Sequence, residues 1–154
     1  MSIDNIKVYN DDCFKILPIL EQESVDMIFA DPPYFLSRGG ISCSGGKMVL
    51  VDKGKWDKKN SNDEIYDFNI KWISECKRIL KTNGSILISG SHHNIYSIGM
   101  ALLYFKPYYL AKNKPTTKLS CRYFTHSTEY IIWAKKSEKS KHIFNYKLKM
   151  VINK

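Results

Sequence analysis

Asp31-Pro32-Pro33-Tyr34 brings a carboxylate, a constrained backbone and an aromatic face together within four residues. Asp31 precedes a proline and is held extended, as is Pro32. Neither proline offers a backbone donor, so the turn cannot relax into the start of a helix. The Pro32 carbonyl is thereby left free to accept. A carboxylate, a bare carbonyl and a ring leaving one edge together match a planar base whose exocyclic amine has two hydrogens to donate. Two acceptors that draw those hydrogens out of the ring plane localise the nitrogen lone pair. A tyrosine stacked on the extruded base then holds it for in-line attack on an electrophilic methyl, with no covalent enzyme intermediate. As an ordinary proline loop, the tetrapeptide would arise by chance in about one such chain in a thousand.

The element that must position this turn is the apolar run Met27-Ile28-Phe29-Ala30, which reads as a buried parallel strand delivering the chain to the carboxyl edge of a sheet. Upstream, residues 6–10 predict a short strand, and Asp11-Asp12-Cys13 opens a brief helix with Phe14, Ile16 and Leu17 apolar, stopped near Pro18. Residues 36–60 contain Gly39-Gly40, Gly45-Gly46 and Gly54 without a persistent period and predict a mobile loop. Ser61 and Glu64 have capping-box spacing. Ile65, Phe68, Trp72, Cys76, Ile79 and Leu80 then recur at threes and fours until Asn83-Gly84, predicting a long helix. Strands are expected over 85–89, 108–112 and 130–135, with a turn at 90–94, a helix over 95–105 and a polar segment over 113–128. Strands alternating with helices imply a layered α/β fold with a largely parallel sheet.

A chain of 154 residues with 44% apolar content fits one domain with one core. The start lacks a signal-peptide core and the longest apolar run, 100–105, is far too short to span a bilayer, so no membrane partner and a cytoplasmic location are expected. Cys13, Cys43, Cys76 and Cys121 lie far apart and His92-His93 is an adjacent pair, which predicts reduced thiols and no metal site. The net charge of +9 is unevenly placed: residues 1–105 carry 12 basic and 13 acidic side chains, whereas 106–154 carry 12 basic and 2 acidic. Arg38, Lys47, Lys53, Lys55, Lys58 and Lys59 add a basic excess after the tetrapeptide, and Lys118 and Arg122 lie in the basic final third. Interleaved with Tyr108, Tyr109, Tyr123 and Phe124, these side chains suit DNA: a phosphate backbone with some stacking. A solvated lysine-rich surface is the bland reading of the same charge.

The tetrapeptide behind an apolar strand resembles the catalytic motif of amino-methylating DNA methyltransferases. So do residues 31–37, Lys53-Gly54-Lys55-Trp56-Asp57-Lys58, the run 83–90 and the segment 119–129, all similar to the beta-class adenine methyltransferases of type II restriction systems. The resemblance covers nearly the whole chain. It implies a partial Rossmann-like fold with helices on both faces of the sheet, S-adenosylmethionine as cofactor and adenine in DNA as substrate. Asp at the first motif position is usual for adenine, Ser for cytosine amines and Asn for protein glutamine. By the same resemblance Asp31, Pro32, Pro33 and Tyr34 hold the target base, while Asp12 and Cys13, with Asp31, contact the cofactor.

Two departures from the family pattern stand out. Lys114-Pro115-Thr116-Thr117 replaces a more proline-rich run, and no phenylalanine from Phe14 to Phe144 has glycine two residues later, so the Phe-x-Gly-x-Gly turn for the methionine end of the cofactor is missing. The expectation is a single catalytic domain over 1–154, its target-recognition region only beginning at about 140–154, with strands 6–10 and 27–30 each short of a neighbour. A second polypeptide or self-association would then complete the sheet. A non-catalytic DNA-binding module and a remnant that does not fold alone are the competing readings. Hydrolysis by paired carboxylates is weaker, since Asp11-Asp12 and Asp31 lack a matching metal-ligand set.

Overall fold

The computed structural model describes residues 6–35, 41–44, 47–50, 54, 57–58, 61–91, 94–103, 105–113 and 128–142. In chain order these form α1 (Cys13–Ile16) with a 3-10 turn at Leu17–Ile19, β1 (Val25–Ala30), β2 (Ile41–Ser44), β3 (Lys47–Leu50), α2 (Asn62–Ile79), β4 (Leu80–Gly90), α3 (Ile95–Ala101), β5 (Lys106–Asn113) and β6 (Thr128–Lys135).

The main sheet has the order β1-β4-β6-β5. β1 and β4 are parallel, with Ile28 opposite Ile86 and Ala30 opposite Ile88. β6 runs antiparallel to both β4 and β5, so β1, β4 and β5 share one direction and a single reversed strand lies between two of them. The expected parallel sheet is therefore mixed. Apolar runs read one at a time carry no direction, and one reversed strand converts both of its ladders to antiparallel.

α2 starts where the capping box places it. The Ser61 hydroxyl accepts from the Glu64 amide at 3.1 Å, and the Glu64 carboxylate accepts from the Ser61 amide at 2.8 Å. It ends earlier than Asn83-Gly84 suggests: Leu80 already pairs with Val25, and the register slips before Met27 meets Ser85. A Cβ on Gly84 would sit 2.7 Å from the Leu80 side chain and 3.0 Å from the Asp26 carbonyl, so glycine serves close approach inside the bulged start of β4 rather than a helix cap. Lys136 clips this bulge by donating to the Leu80 carbonyl at 2.6 Å and to Glu23 at 2.7 Å.

The core lies on one face of the sheet. Ile86 and Ile88 of β4 and Ile132 and Ala134 of β6 alternate inward against Trp72, Ile73 and Cys76 of α2 and Ile95 and Ile98 of α3, all buried. Burying each large aliphatic contributes about 1.5–3 kcal/mol. Phe14 and Leu17 pack against the edge of the same cluster, so the described helices cover that face only, not both as expected. On the other face Met27 and Phe29 are 57% and 63% exposed.

Three further expectations differ. Residues 6–10 form no strand; Ile6, Val8 and Tyr9 are exposed, and no described strand lies beside them to supply a ladder. The 36–60 stretch contains the antiparallel hairpin β2-β3, which its glycines obscured. The helix expected over 95–105 ends at Ala101. Residues 114–127 and 143–154, with the expected polar segment and the start of a target-recognition region, lie outside the described residues. None of the described helices is long and apolar enough to cross a membrane.

Candidate active site

β1 ends at Ala30, opposite Ile88, and Asp31 emerges at the carboxyl edge beside Ser89 and Gly90. The parallel pairing of β1 and β4 thus sets a carboxylate next to a hydroxyl from a strand far along the chain. Asp31 Oδ1 accepts from the Tyr34 hydroxyl at 2.9 Å and from the Ser89 hydroxyl. Both donors converge on one oxygen, and no described donor reaches Oδ2. The tyrosine ring is anchored at its tip, and the residue is half-buried.

The two proline carbonyls have different fates. That of Pro33 accepts from Asn94 Nδ2 at 2.8 Å; none of the described groups donates to that of Pro32. Phe35 then adopts a left-handed conformation with φ 54°, unusual for a residue with a Cβ. Its amide donates to Asp57 Oδ1 at 2.8 Å, and Asp57 is fully buried. The Phe35 ring packs edge-on against Phe68 at 5.5 Å, and Phe68 packs edge-on against Phe14 at 5.3 Å, joining the turn, α2 and α1.

Beneath this aromatic chain opens a cavity of about 820 Å³ whose walls include Asp12, Cys13, Phe14, Pro33, Phe35 and Phe68, with Lys58 and Glu64 also lining it. Asp12 caps α1 by accepting from the Phe14 amide at 2.9 Å. Asp11 accepts from the Asp12 amide at 2.7 Å and from Lys15 at 3.0 Å, which together hold its carboxyl below the usual range. Partial burial, and then the Asp12 charge, push the Cys13 thiol up. Arg78 fixes this corner to α2: its guanidinium donates to the Leu17 carbonyl at 2.8 Å and the Leu20 carbonyl at 3.0 Å while pairing with Glu75 at 2.8 Å. No group of acidic, histidine or cysteine side chains among the described residues is arranged to hold a metal.

The structure therefore gathers Asp31, Pro32, Pro33 and Tyr34 at one strand end and sets Asp12 and Cys13 in a cavity that Pro33, not Asp31, shares with them. Lys47 lies on β3, and Arg38, Lys53, Lys55, Lys118 and Arg122 fall outside the described residues. Ser89, Asn94, Asp57, Phe68 and Arg78 are site-building residues that sequence reasoning missed. For Asn94 its place just before an apolar helix signalled a cap, and nothing in the chain pointed to Pro33.

The proline turn thus presents two acceptors, open among the described residues, at the end of a parallel strand on an α/β sheet. Residues 25–154 match the DNA methylase family model, and the chain belongs to the DNA methylase family. It is 55% identical over 148 residues to the Type II methyltransferase M2.DpnII of Streptococcus pneumoniae, covering 92% of this chain and 55% of that protein. It is 52% identical over 156 residues to M2.LlaDCHI of Lactococcus lactis subsp. cremoris, covering 97% and 58%. The chain thus spans little more than half the length of these curated relatives. Among solved structures, the M1.HpyAVI–SAM complex shares the fold with a TM-score of 0.58 at 22% identity, over 89% of this chain and 55% of that one. The cytosine-N4-specific PvuII DNA methyltransferase does so with a TM-score of 0.58 at 16% identity, over 86% and 50%. These likenesses establish the partial Rossmann-like methyltransferase fold.

Proposed function

We propose that this chain carries the amine-activating half of an S-adenosylmethionine-dependent methyltransferase acting on adenine in DNA. The observation that carries the reading is the pair of open acceptors, Asp31 Oδ2 and the Pro32 carbonyl, at one strand end beside an anchored tyrosine. An exocyclic amine donating one hydrogen to each is drawn out of conjugation, and the Tyr34 ring holds the extruded base in place. The two donors on Oδ1 keep the carboxylate oriented before substrate arrives, which is where preorganised electrostatics gain their effect. S-adenosylmethionine supplies the electrophilic methyl when bound. The cavity fits its adenosine end: Phe14, Phe35 and Phe68 offer aromatic wall, and Asp12 and Cys13 line it beside them. Asp31 at the first motif position favours adenine over cytosine. Arg38, Lys47, Lys53, Lys55, Lys118 and Arg122 are the side chains proposed to meet the DNA backbone, with affinity that falls steeply as salt rises.

Completion of the sheet by a second chain or a second copy belongs to the same proposal. Its support is that β1 ends the strand order among the described residues, with Met27 and Phe29 exposed. To test both, the purified chain is incubated with radiolabelled S-adenosylmethionine and unmethylated DNA, alone and together with the portion of M2.DpnII that it does not cover. Digestion to nucleosides should yield N6-methyladenine in the mixture. N4-methylcytosine would overturn the adenine assignment, and no transfer in either condition would overturn the methyltransferase reading.

A further inference from the structure

We infer that Asn94 is a positioning residue of the amine site, holding the Pro33 carbonyl turned into the protein so that only the Pro32 carbonyl is presented to the base. This inference rests on the methyltransferase reading above.

Asn94 stands at the N-cap of α3, where asparagine ordinarily accepts from an amide of its own helix. It makes no such bond. Its carboxamide instead reaches across 61 positions of sequence to donate from Nδ2 to the Pro33 carbonyl at 2.8 Å, and the residue is fully buried. Its Oδ1 is buried too and accepts from no described donor. A side chain that forgoes its local cap and leaves an acceptor unmade is held there by the bond it does make. Gly90 gives it room: a Cβ at that position would lie 3.0 Å from Asn94 Oδ1 and 2.9 Å from Ile95 Cδ1.

The consequence for the turn follows from peptide planarity. Both prolines have fixed φ, so the turn's remaining freedom between them and Tyr34 lies in the rotation that swings the Pro33 carbonyl. That carbonyl shares a plane with the Tyr34 amide. Fixing one fixes the start of the other, and with it the direction in which the tyrosine leaves the backbone. Without Asn94, the Pro33 carbonyl is free to swing outward, competing with Pro32 as acceptor and shifting the ring.

The test compares wild type with Asn94→Asp, which keeps the shape but replaces the donor with an acceptor, and Gly90→Ala, which crowds Asn94 without altering it. In protein labelled with ¹³C-carbonyl proline, the Pro33 resonance should move upfield in both variants, a readout independent of any activity. In the active assembly, kcat for methyl transfer should fall roughly tenfold or more, while KM for S-adenosylmethionine stays within about twofold of wild type. An unmoved Pro33 resonance overturns the inference, as does a moved resonance with unchanged kcat. A rise in KM for S-adenosylmethionine matching the loss in kcat/KM also overturns it. A wild-type assembly that transfers no methyl group sinks the underlying reading instead, and this role with it, whatever the resonance does.

Discussion

The two faces of the β1-β4-β6 sheet differ more than the two faces of a free-standing sheet can. On one, Ile86, Ile88, Ile132 and Ala134 reach 0% exposure under α2 and α3; on the other, Met27 and Phe29 remain 57% and 63% exposed beside half-buried Leu87, Ile131 and Trp133. Among the described residues, the contacts that position the Asp31–Tyr34 turn come from the covered side or from the sheet end: Asp57, Ser89, Asn94 and the Phe14–Phe68–Phe35 chain. Among the described residues the turn is thus held by the covered layer and the sheet end, while the other face leaves Met27 and Phe29 exposed.

The contrast is broken most directly in the core. Ile88→Ala should destabilise the chain by about 2–5 kcal/mol in urea titration, because the cavity it leaves lies between β4 and the helices with no route to collapse. A loss under about 1 kcal/mol would mean the covered layer is loosely packed. Asp31→Ala comes next and should act on rate alone. Methyl transfer by the active assembly should fall roughly a hundredfold with little change in melting temperature, since Asp31 is exposed and its partners can turn to water.

Asp57→Ala sits between structure and chemistry. It strips the acceptor from the buried Phe35 amide and should cost about 1–3 kcal/mol, with the left-handed Phe35 backbone released from its hold. Replacement by Asn keeps an acceptor oxygen and should recover most of the loss. Smaller still is the thiol contrast. Burial pushes Cys76 up from the ordinary 9.0 to about 12, whereas Cys13 is raised less and is exposed. At pH 9, iodoacetamide should modify Cys13 well before Cys76. Asp12→Asn removes the second cause of the Cys13 shift, so more thiolate forms at a given pH and alkylation should quicken a few-fold. Since the raised Cys76 pKa favours the folded state only while the thiol is protonated, that contribution is full below pH 9 and is lost as pH climbs toward 12.

What the sequence disclosed was what is local. The Asp31 turn and the Ser61–Glu64 cap are each written within four residues and stand where they were expected, as does the brief helix that Asp11-Asp12-Cys13 opens. The reach of Asn94 to Pro33 spans 61 positions and that of Asp57 to Phe35 spans 22, and neither leaves a spacing to read. Direction was equally hidden: residues 130–135 showed a strand but not that it runs against its neighbours. Residues 6–10 failed for the opposite reason, since alternating apolar side chains describe a strand only when a ladder partner is present.

The mildest perturbation decides the comparison between the faces. Phe29→Ser with Met27→Ser exchanges apolar for polar surface on β1 without touching Ile28 or Ala30, which face the core. If that face is open in the isolated chain, unfolding free energy should stay within about 0.5 kcal/mol of wild type, because little apolar area leaves water there on folding. Self-association, read as sedimentation mass at rising concentration, should decrease, since the substitutions remove the surface that another chain or copy would cover. A stability loss of about 2 kcal/mol or more would show that some segment of the chain itself, beyond the described residues, packs on Phe29. The two faces would then be equals in the folded chain, and the proposal of a completing partner would fall away.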